Sequence, residues 1–222
     1  DQFFDIAKIR ALRILISRIG QVCGVGHVDL KIQASLPQFL ISQSDPWINL
    51  LRTTVGCFSA ATGGADFISL PPFDSAFGIP SDFGMRLARN TQLVLMEESN
   101  LHKVIDPAGG SWYVESLTDQ IAQKAWERFQ LLEENGGIIQ EIISGSFQKE
   151  ILENREQYKE QIKTKGRILI GVNEFLEPEK TELQRDPYPD AVGMPDALNL
   201  QARSTFRISD LFSEEGGSNN DS

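Results

Sequence analysis

The feature that most constrains this chain is an alternation of short apolar strands with longer helical segments. Four strands are predicted, at Val28 to Ser35, Asp66 to Leu70, Lys103 to Ile105 and Arg167 to Phe175. Apolar side chains at helical spacing fill the intervals between them. Strands that alternate with helices pair in parallel through right-handed crossovers. The pattern therefore predicts an α/β fold.

The ends of the helices carry their own signals. Asp45 can cap free backbone N–H groups, and Pro46 suits the first helical position. Ser116 and Asp119 resemble a capping box. The predicted helices are Phe3 to Ile19, Asp45 to Gly63-Gly64, Pro80-Ser81 to about Ser99, Ser116 to Asn135-Gly136-Gly137, and Phe147 to Lys165.

The number of strands decides the architecture. A (βα)₈ barrel needs about 250 residues, with a lower end near 200, so the length of 222 residues alone would permit one. About three strand–helix units and one later strand amount to roughly half a barrel. A half barrel leaves two sheet edges open and would be a poor monomer. Since Asp1 is not Met and lies close to a helix, we expect the chain to begin inside a longer polypeptide.

The pattern ends after Glu177, where prolines interrupt a segment of little periodicity. We predict three regions: a barrel segment at 1–176, an extended proline-rich strap or linker at 177–213, and a disordered tail at 214–222. The tail is rich in Gly, Ser, Asn and acidic residues.

Charge and cysteine content exclude several classes of function. The net charge is −10 and there is no basic run, which argues against nucleic acid or an anionic membrane as partner. No apolar run approaches the length of a membrane span. Cys23 and Cys57 cannot form a disulfide framework, so a reduced, cytoplasmic setting is expected.

In a parallel α/β barrel, function lies at the carboxyl ends of the strands and in the loops that follow. Gln33, the loop Ser69 to Asp74 and the loop Asp106 to Tyr113 have such positions. Arg10 and Arg13 could face an anion. Each also has a structural interpretation: Gln33 as a satisfied polar side chain, and Asp106 to Gly110 as a turn that requires glycine at positive φ.

Searches for a catalytic or metal-binding set give nothing. His27 and His102 have no second His or Cys at ligand spacing. No serine stands in a G-x-S-x-G motif, and Gly24-Val25-Gly26 is not completed because position 29 is Asp29. From the residues alone we predict no catalytic residue and no metal site.

Several stretches form a pattern far more specific than the alternation of strands and helices. They are Ala7-Lys8-Ile9-Arg10-Ala11, Leu51-Arg52-Thr53-Thr54, Gly63-Gly64-Ala65-Asp66, Arg86 to Leu93, Asp106 to Glu115 and Gly171-Val172-Asn173. Together they resemble methylmalonyl-CoA mutase, in the later half of its substrate-binding barrel, and their order and spacing agree from about Asp1 to Phe175.

The resemblance implies an adenosylcobalamin-dependent isomerase that interconverts methylmalonyl-CoA and succinyl-CoA by a radical 1,2-shift. In that family the cofactor carries the hard chemistry, and the protein sequesters radicals and positions the thioester. The family's catalytic Tyr-His pair lies upstream of the matching region. Its cobalamin domain, with an Asp-x-His-x-x-Gly motif, is expected downstream.

Individual positions follow the family only in part. By resemblance, Gln33, Asp74 and Ala76 are cofactor-binding positions, and Arg10 matches an arginine that contacts the CoA moiety. Lys31 stands where catalytic subunits have His, and Ser75 replaces a Glu that approaches the cobalamin. Ser69 and Pro71 replace a His and an Asn. These changes remove hydrogen-bonding groups from the cofactor side.

Such replacements are typical of the small, non-catalytic subunit of heterodimeric mutases, as are Trp47 and Leu70-Pro71-Pro72-Phe73-Asp74. The first hypothesis is therefore a supporting barrel that pairs with a catalytic subunit. The alternative is a fragment of an active acyl-CoA mutase whose catalytic pair and cofactor domain lie outside this chain. An unrelated phosphate- or sugar-binding barrel would require the motifs to be coincidental.

Overall fold

The computed structural model describes residues 1–26, 28–178 and 183–189. Short 3₁₀ turns occur at Gln38–Leu40 and Leu101–Lys103, and a π-helical turn at Val94–Glu98. The regular elements in chain order are α1 (Gln2–Val22), β1 (Gln33–Ser35), α2 (Ile48–Thr62), β2 (Phe67–Ser69), α3 (Asp82–Leu93), α4 (Trp112–Glu134), α5 (Gly137–Ser144) and α6 (Ser146–Lys163).

Local signals place most of the helices. Asp1 caps α1 by accepting a hydrogen bond from the Phe3 N–H at 3.0 Å, and the predicted cap Asp45 accepts one from the Trp47 N–H at 3.1 Å. Such caps satisfy backbone donors that have no partner within the helix. The predicted helices α1, α2, α3 and α6 are confirmed, with their ends shifted by a few residues.

The region from Trp112 to Ser144 differs from the prediction. The Glu115 N–H donates to the Ser111 carbonyl at 2.8 Å, so α4 is already helical before Ser116 and the capping-box prediction is wrong. The unpredicted helix α5 lies between Gly136 and Gly145, whose φ angles are +95° and +80°. Because glycine enters the left-handed region without steric cost, these two residues separate the chain into α4, α5 and α6.

The sheet consists of β1 and β2, which pair in parallel with Ala34 opposite Ile68. Those two side chains pack against the cluster Ile9, Ile32 and Ala60. Residues on the other face of the same strands, such as Phe67, are exposed. The predicted α/β fold with parallel pairing is confirmed, although the strand expected at Val28 to Ser35 is shorter and comprises only Gln33–Ser35.

Two predicted strands are wrong. Leu101–Lys103 is a 3₁₀ turn, and Ile105 beyond it is 98% exposed. An extended segment becomes a strand only when a neighbour pairs with its backbone. Residues 167–175 instead fold around the Asn173 side chain, which accepts from the Leu169 N–H at 2.7 Å and donates to the Ile162 and Arg167 carbonyls at 2.8 Å each. The described residues thus form a two-stranded sheet and not a barrel.

The chain divides into two compact units, the first comprising residues 1–36, 51–71 and 86–134. In this unit α1 packs along α4, with Ile6 against Val114 and Phe3 edge-on to Tyr113 at 5.5 Å between ring centroids. Phe3 and Tyr113 favour the edge-to-face arrangement because of their ring quadrupoles.

The second unit comprises residues 37–50, 72–85 and the described residues from 135 onward. Its apolar cluster contains Ile162 and Val172, with Phe39 and Tyr158 packed against them. The buried Asn49 side chain accepts from the Ser42 N–H at 3.0 Å and donates to the Phe73 carbonyl at 2.9 Å. A buried amide with its partners satisfied fixes the backbone around it.

The predicted tail at 214–222 and most of the predicted strap at 177–213 lie outside the described residues. Of the strap, residues 177–178 and 183–189 are described. Among the helices within the described ranges, none combines the length and the apolar character that a bilayer crossing requires.

Candidate functional site

Gln33 lies at the first position of β1, opposite Phe67 in the register of the sheet. Both side chains are on the exposed face of the strand pair. Lys31, two residues earlier, is also exposed and lies 3.5 Å from a carboxylate oxygen of Asp66. This face of the sheet therefore presents polar groups together with one large apolar side chain.

Arg13 and Asp66 connect the beginnings of both strands to α1. The Arg13 guanidinium donates to the Leu30 carbonyl at 2.9 Å and to Asp66 Oδ2 at 2.8 Å. The same Oδ2 accepts from the Ile32 N–H at 2.9 Å. These bonds hold the pKa of Asp66 at about 2, first through the backbone N–H of Ile32 and then through Arg13. Arg13 was predicted to face an anion, and in the structure it binds the carboxylate of Asp66 in the same chain.

Arg10 has two carboxylate partners within the first unit. It pairs with Asp106 and lies 2.8 Å from Glu115 Oε1. Glu115 also accepts from the Gly110 N–H at 2.9 Å, and this bond, with the Arg10 pairing, lowers the pKa of Glu115. The guanidinium thus joins α1 to the loop and helix that carry the Asp-Pro-Ala-Gly-Gly motif.

Asp74 is completely buried in the second unit. Its Oδ2 accepts from the Ser81 N–H at 3.1 Å, from Ser81 Oγ at 2.6 Å and from Arg185 Nε at 2.8 Å. The Gly84 N–H donates to Ser81 Oγ at 3.0 Å, which caps the start of α3. A buried carboxylate is tolerated only when it is paired and hydrogen-bonded. Ser81 and Arg185 meet that condition at Oδ2, whereas the buried Oδ1 has no hydrogen-bond partner among the described residues.

Burial works to raise the pKa of Asp74, but the hydrogen bonds from Ser81 and Arg185 outweigh it and hold the pKa below its usual value. Asp74 is therefore ionised at neutral pH. Its Oδ1 is enclosed as well, since a side-chain carbon added at Gly84 would overlap that atom.

Ser75 and Ala76 follow Asp74 and are also buried. The Ser75 carbonyl accepts from Tyr188 Oη at 2.9 Å, and the Ala76 carbonyl accepts from Gln43 Nε2 at 2.7 Å. Asp74 and Ala76, two of the predicted cofactor positions, are thus buried within the second unit. The third, Gln33, is exposed.

Arg185 and Tyr188 were missed from the sequence, where they fall in the predicted strap. No local pattern marks them, because their partners lie more than a hundred residues earlier in the chain. Within the described residues, no three His, Cys, Asp or Glu side chains lie close enough together to hold a metal ion.

The sequence profile described as Methylmalonyl-CoA mutase matches residues 1–202. The chain belongs to the methylmalonyl-CoA mutase family. The profile extends past the boundary predicted at residue 176 and into the predicted strap, so Arg185 and Tyr188 fall inside the matched mutase region.

Relatives of two kinds are similar to this mutase-family chain. It is 41% identical over 210 residues to the methylmalonyl-CoA mutase small subunit of Streptomyces virginiae, covering 93% of the chain and 34% of that protein. It is 38% identical to the small subunit of Propionibacterium freudenreichii subsp. shermanii, over 86% of the chain and 30% of that subunit. The methylmalonyl-CoA mutase of Escherichia coli is 36% identical over 79% of the chain and 25% of that enzyme. The chain thus spans about a third or less of the length of these relatives.

Proposed function

We propose that this chain is the later half of the substrate-binding (βα)₈ barrel of a mutase small subunit, which supports a catalytic partner and does not itself carry the chemistry. The observation that carries the proposal is the 41% identity to a named small subunit across 93% of the chain. The reaction of the assembled enzyme is the interconversion of methylmalonyl-CoA and succinyl-CoA, with adenosylcobalamin held by the catalytic subunit.

The loop that begins at Asp74 supports the non-catalytic assignment. The residues of this loop do not fit adenosylcobalamin, because the Asp74 carboxylate is bound by Ser81 and Arg185 and Ser75 stands where the family has Glu. A carboxylate that is fully enclosed offers no group to a ligand. Gln33 is exposed and remains the proposed cofactor-side position.

The sheet supports the assignment to a larger barrel. Phe67 lies on the face of the sheet that points away from the cluster Ile9, Ile32 and Ala60, and it is 61% exposed. Parallel sheets are normally covered on both faces. In a (βα)₈ barrel, the strand face opposite the helices points into the packed interior. We propose that the remaining strands of the barrel, outside this chain, cover Gln33 and Phe67.

Arg10 is proposed to reach the CoA moiety only in the assembled enzyme. Its side chain is 15% exposed and already pairs with Asp106 and Glu115. A CoA phosphate would have to compete with these carboxylates for the guanidinium. The cytoplasmic location remains a prediction from the sequence.

The decisive experiment is co-expression of the full-length polypeptide that contains this chain with a catalytic mutase subunit. We expect the two to copurify, with no succinyl-CoA formed by the polypeptide alone and turnover by the pair. Corrin absorbance should follow the catalytic subunit on separation. Turnover and cobalamin binding without the partner would contradict the proposal.

The alternative is a fragment of a catalytically active acyl-CoA mutase. It is favoured by the similarity to the Escherichia coli enzyme over 79% of the chain. The same experiment separates the two, because an active subunit would bind cobalamin and turn over alone. In that case Gln33→Ala should lower turnover, while Gln38→Ala, at a nearby exposed glutamine, should not.

A further inference from the structure

We infer that residues 183–189 act as a clasp that closes the loop 72–79, with Arg185 as the positioning residue that holds this loop through Asp74. Both segments belong to the second unit. The clasp itself follows from the contacts within that unit. Its consequence for a ligand, that the loop is shut to a cofactor, rests on the proposed function.

Three bonds along the clasp hold three positions of the loop. Arg185 Nε donates to Asp74 Oδ2 at 2.8 Å. The Ile79 N–H donates to the Asp186 carbonyl at 2.7 Å. The hydroxyl of Tyr188 donates to the carbonyl of Ser75 at 2.9 Å. Successive residues of one segment thus engage a side chain, a backbone N–H and a backbone carbonyl of the other.

Gly78 shows how closely the two segments approach. Its φ is +147°, and a side-chain carbon at this position would overlap the Asp186 carbonyl oxygen. Only glycine allows the backbone of the clasp to lie this near the loop. Gly78 is itself buried, so the closure excludes solvent from the loop.

The positive charge of Arg185 compensates the buried negative charge of Asp74. The fully buried Asp74 has Arg185 as its cationic partner, and the side chain of Arg185 is 22% exposed. Loss of one member of a buried ion pair leaves an uncompensated charge. Removal of Arg185 should therefore release Asp74 toward solvent and open the loop. Removal of a neutral hydrogen-bond partner would open the loop less, because it leaves no unpaired charge.

Cysteine labelling of the full-length polypeptide tests the clasp directly. In a Cys23→Ser background, Ser75→Cys places a reporter thiol at a buried loop position. We expect its reaction with a maleimide to be slow, and to become about tenfold faster or more when Arg185→Ala opens the loop. Arg185→Lys, which keeps the charge, should restore part of the protection.

Matched variants separate opening of the clasp from general effects. Gly78→Ala combines strain with the overlap at Asp186, whereas Gly110→Ala introduces strain at φ +79° with nothing within 4 Å. We expect the first to accelerate labelling and the second to leave it unchanged. Arg18→Ala removes a charge from an exposed part of α1 and should also leave labelling unchanged.

The buried Cys57 reports whether a variant has unfolded. If Arg185→Ala exposes Cys57 as well, Tyr188→Phe decides the matter, because it removes one hydrogen bond and keeps the ring. Exchange of the Ile79 amide hydrogen gives a second readout, since this N–H binds the clasp itself.

The inference is overturned if the Ser75→Cys thiol, before any opening variant is introduced, reacts as fast as the exposed Cys23 of the unsubstituted protein. It is also overturned if Gly78→Ala and Tyr188→Phe leave both labelling and Ile79 exchange unchanged. None of these readouts uses a partner subunit or cobalamin. Their failure is therefore distinct from failure of the proposed function.

Discussion

Nη2 of Arg10 lies 2.8 Å from Oε1 of Glu115, across 105 residues of sequence. The pair connects α1 to α4, the two long helices that pack together in the first unit. Two motifs that resemble the mutase family, Ala7 to Ala11 and Asp106 to Glu115, thus meet at one guanidinium. Within this chain, Arg10 acts first as a structural connection.

Replacement of Arg10 by Ala should therefore weaken the first unit. The change removes the cation shared by Asp106 and Glu115 and the packing of a mostly buried side chain. We expect Tm to fall by about 3 °C, as typical for the loss of charge-assisted bonds in a protein of this size. Thermal unfolding by circular dichroism measures the effect. Arg18→Ala is the matched control, and an equal change in both variants would contradict the assigned role.

Asp66 should make stability depend on acidic pH. Its pKa is about 2 in the folded chain, against an ordinary value of 3.8. A depressed pKa means that the folded state favours the ionised form, so this contribution is present above pH 4 and is lost as the pH falls toward 2. Asp66→Asn should therefore be less stable than the parent at pH 5, and the difference should shrink on acidification.

Urea unfolding of the parent and Asp66→Asn between pH 5 and pH 2.5 measures that difference. Arg13 and Lys31 are the cations that face Asp66. Asp29→Asn is the control, because Asp29 is exposed and pairs with Lys31 at the surface. A pH-independent difference would contradict the assignment.

Asn173 should be needed for the turn that replaces the expected final strand. Asn173→Ala leaves the Leu169 N–H and the carbonyls of Ile162 and Arg167 without this partner. We expect a loss of about 2–3 kcal/mol in the free energy of unfolding, since the three hydrogen bonds of the buried Asn173 side chain would be lost. Chemical denaturation measures it. Asn90→Ala, at an exposed position of α3, should change stability by less than about 0.5 kcal/mol.

Gly84 should not tolerate a side chain. A carbon added there would overlap Oδ1 of Asp74. The carboxylate cannot easily move away, because Ser81 and Arg185 bind its other oxygen, Oδ2. We expect Gly84→Ala to cost about 1–3 kcal/mol, the usual range for overpacking a filled site. Gly166→Ala is the control, because the nearest atom would lie 3.5 Å away in ordinary contact. Equal stability of the two variants, by urea denaturation, would show that the loop around Asp74 yields easily.

Much of the local structure could be predicted from the sequence. The cap at Asp45 and the ends of α2 were identified because the bonds that define them join residues a few positions apart. The parallel pairing of β1 and β2 followed from the alternation of strand and helix. The family could be identified because its motifs occur in the sequence in the family's order and spacing, and the profile match over residues 1–202 agrees.

The burial of the candidate site residues could not be predicted from the sequence. Gln33, Asp74 and Ala76 were grouped by resemblance as cofactor positions, but the structure exposes Gln33 and buries the other two. Burial of a carboxylate depends on whether a cation and hydrogen-bond donors reach it. For Asp74 that cation is Arg185, which is 111 residues away in sequence.

The sequence by itself determined most of the helices, the parallel pairing of β1 with β2, and the family, because these depend on neighbouring residues or on motifs. The tertiary structure decided which charges are engaged: Arg10 with Glu115, Arg13 with Asp66, and Asp74 with Arg185. It also decided that residues 167–175 turn around Asn173 and do not extend as a strand. Each of these outcomes depends on groups brought together only by folding, and no local periodicity encodes the distance between them.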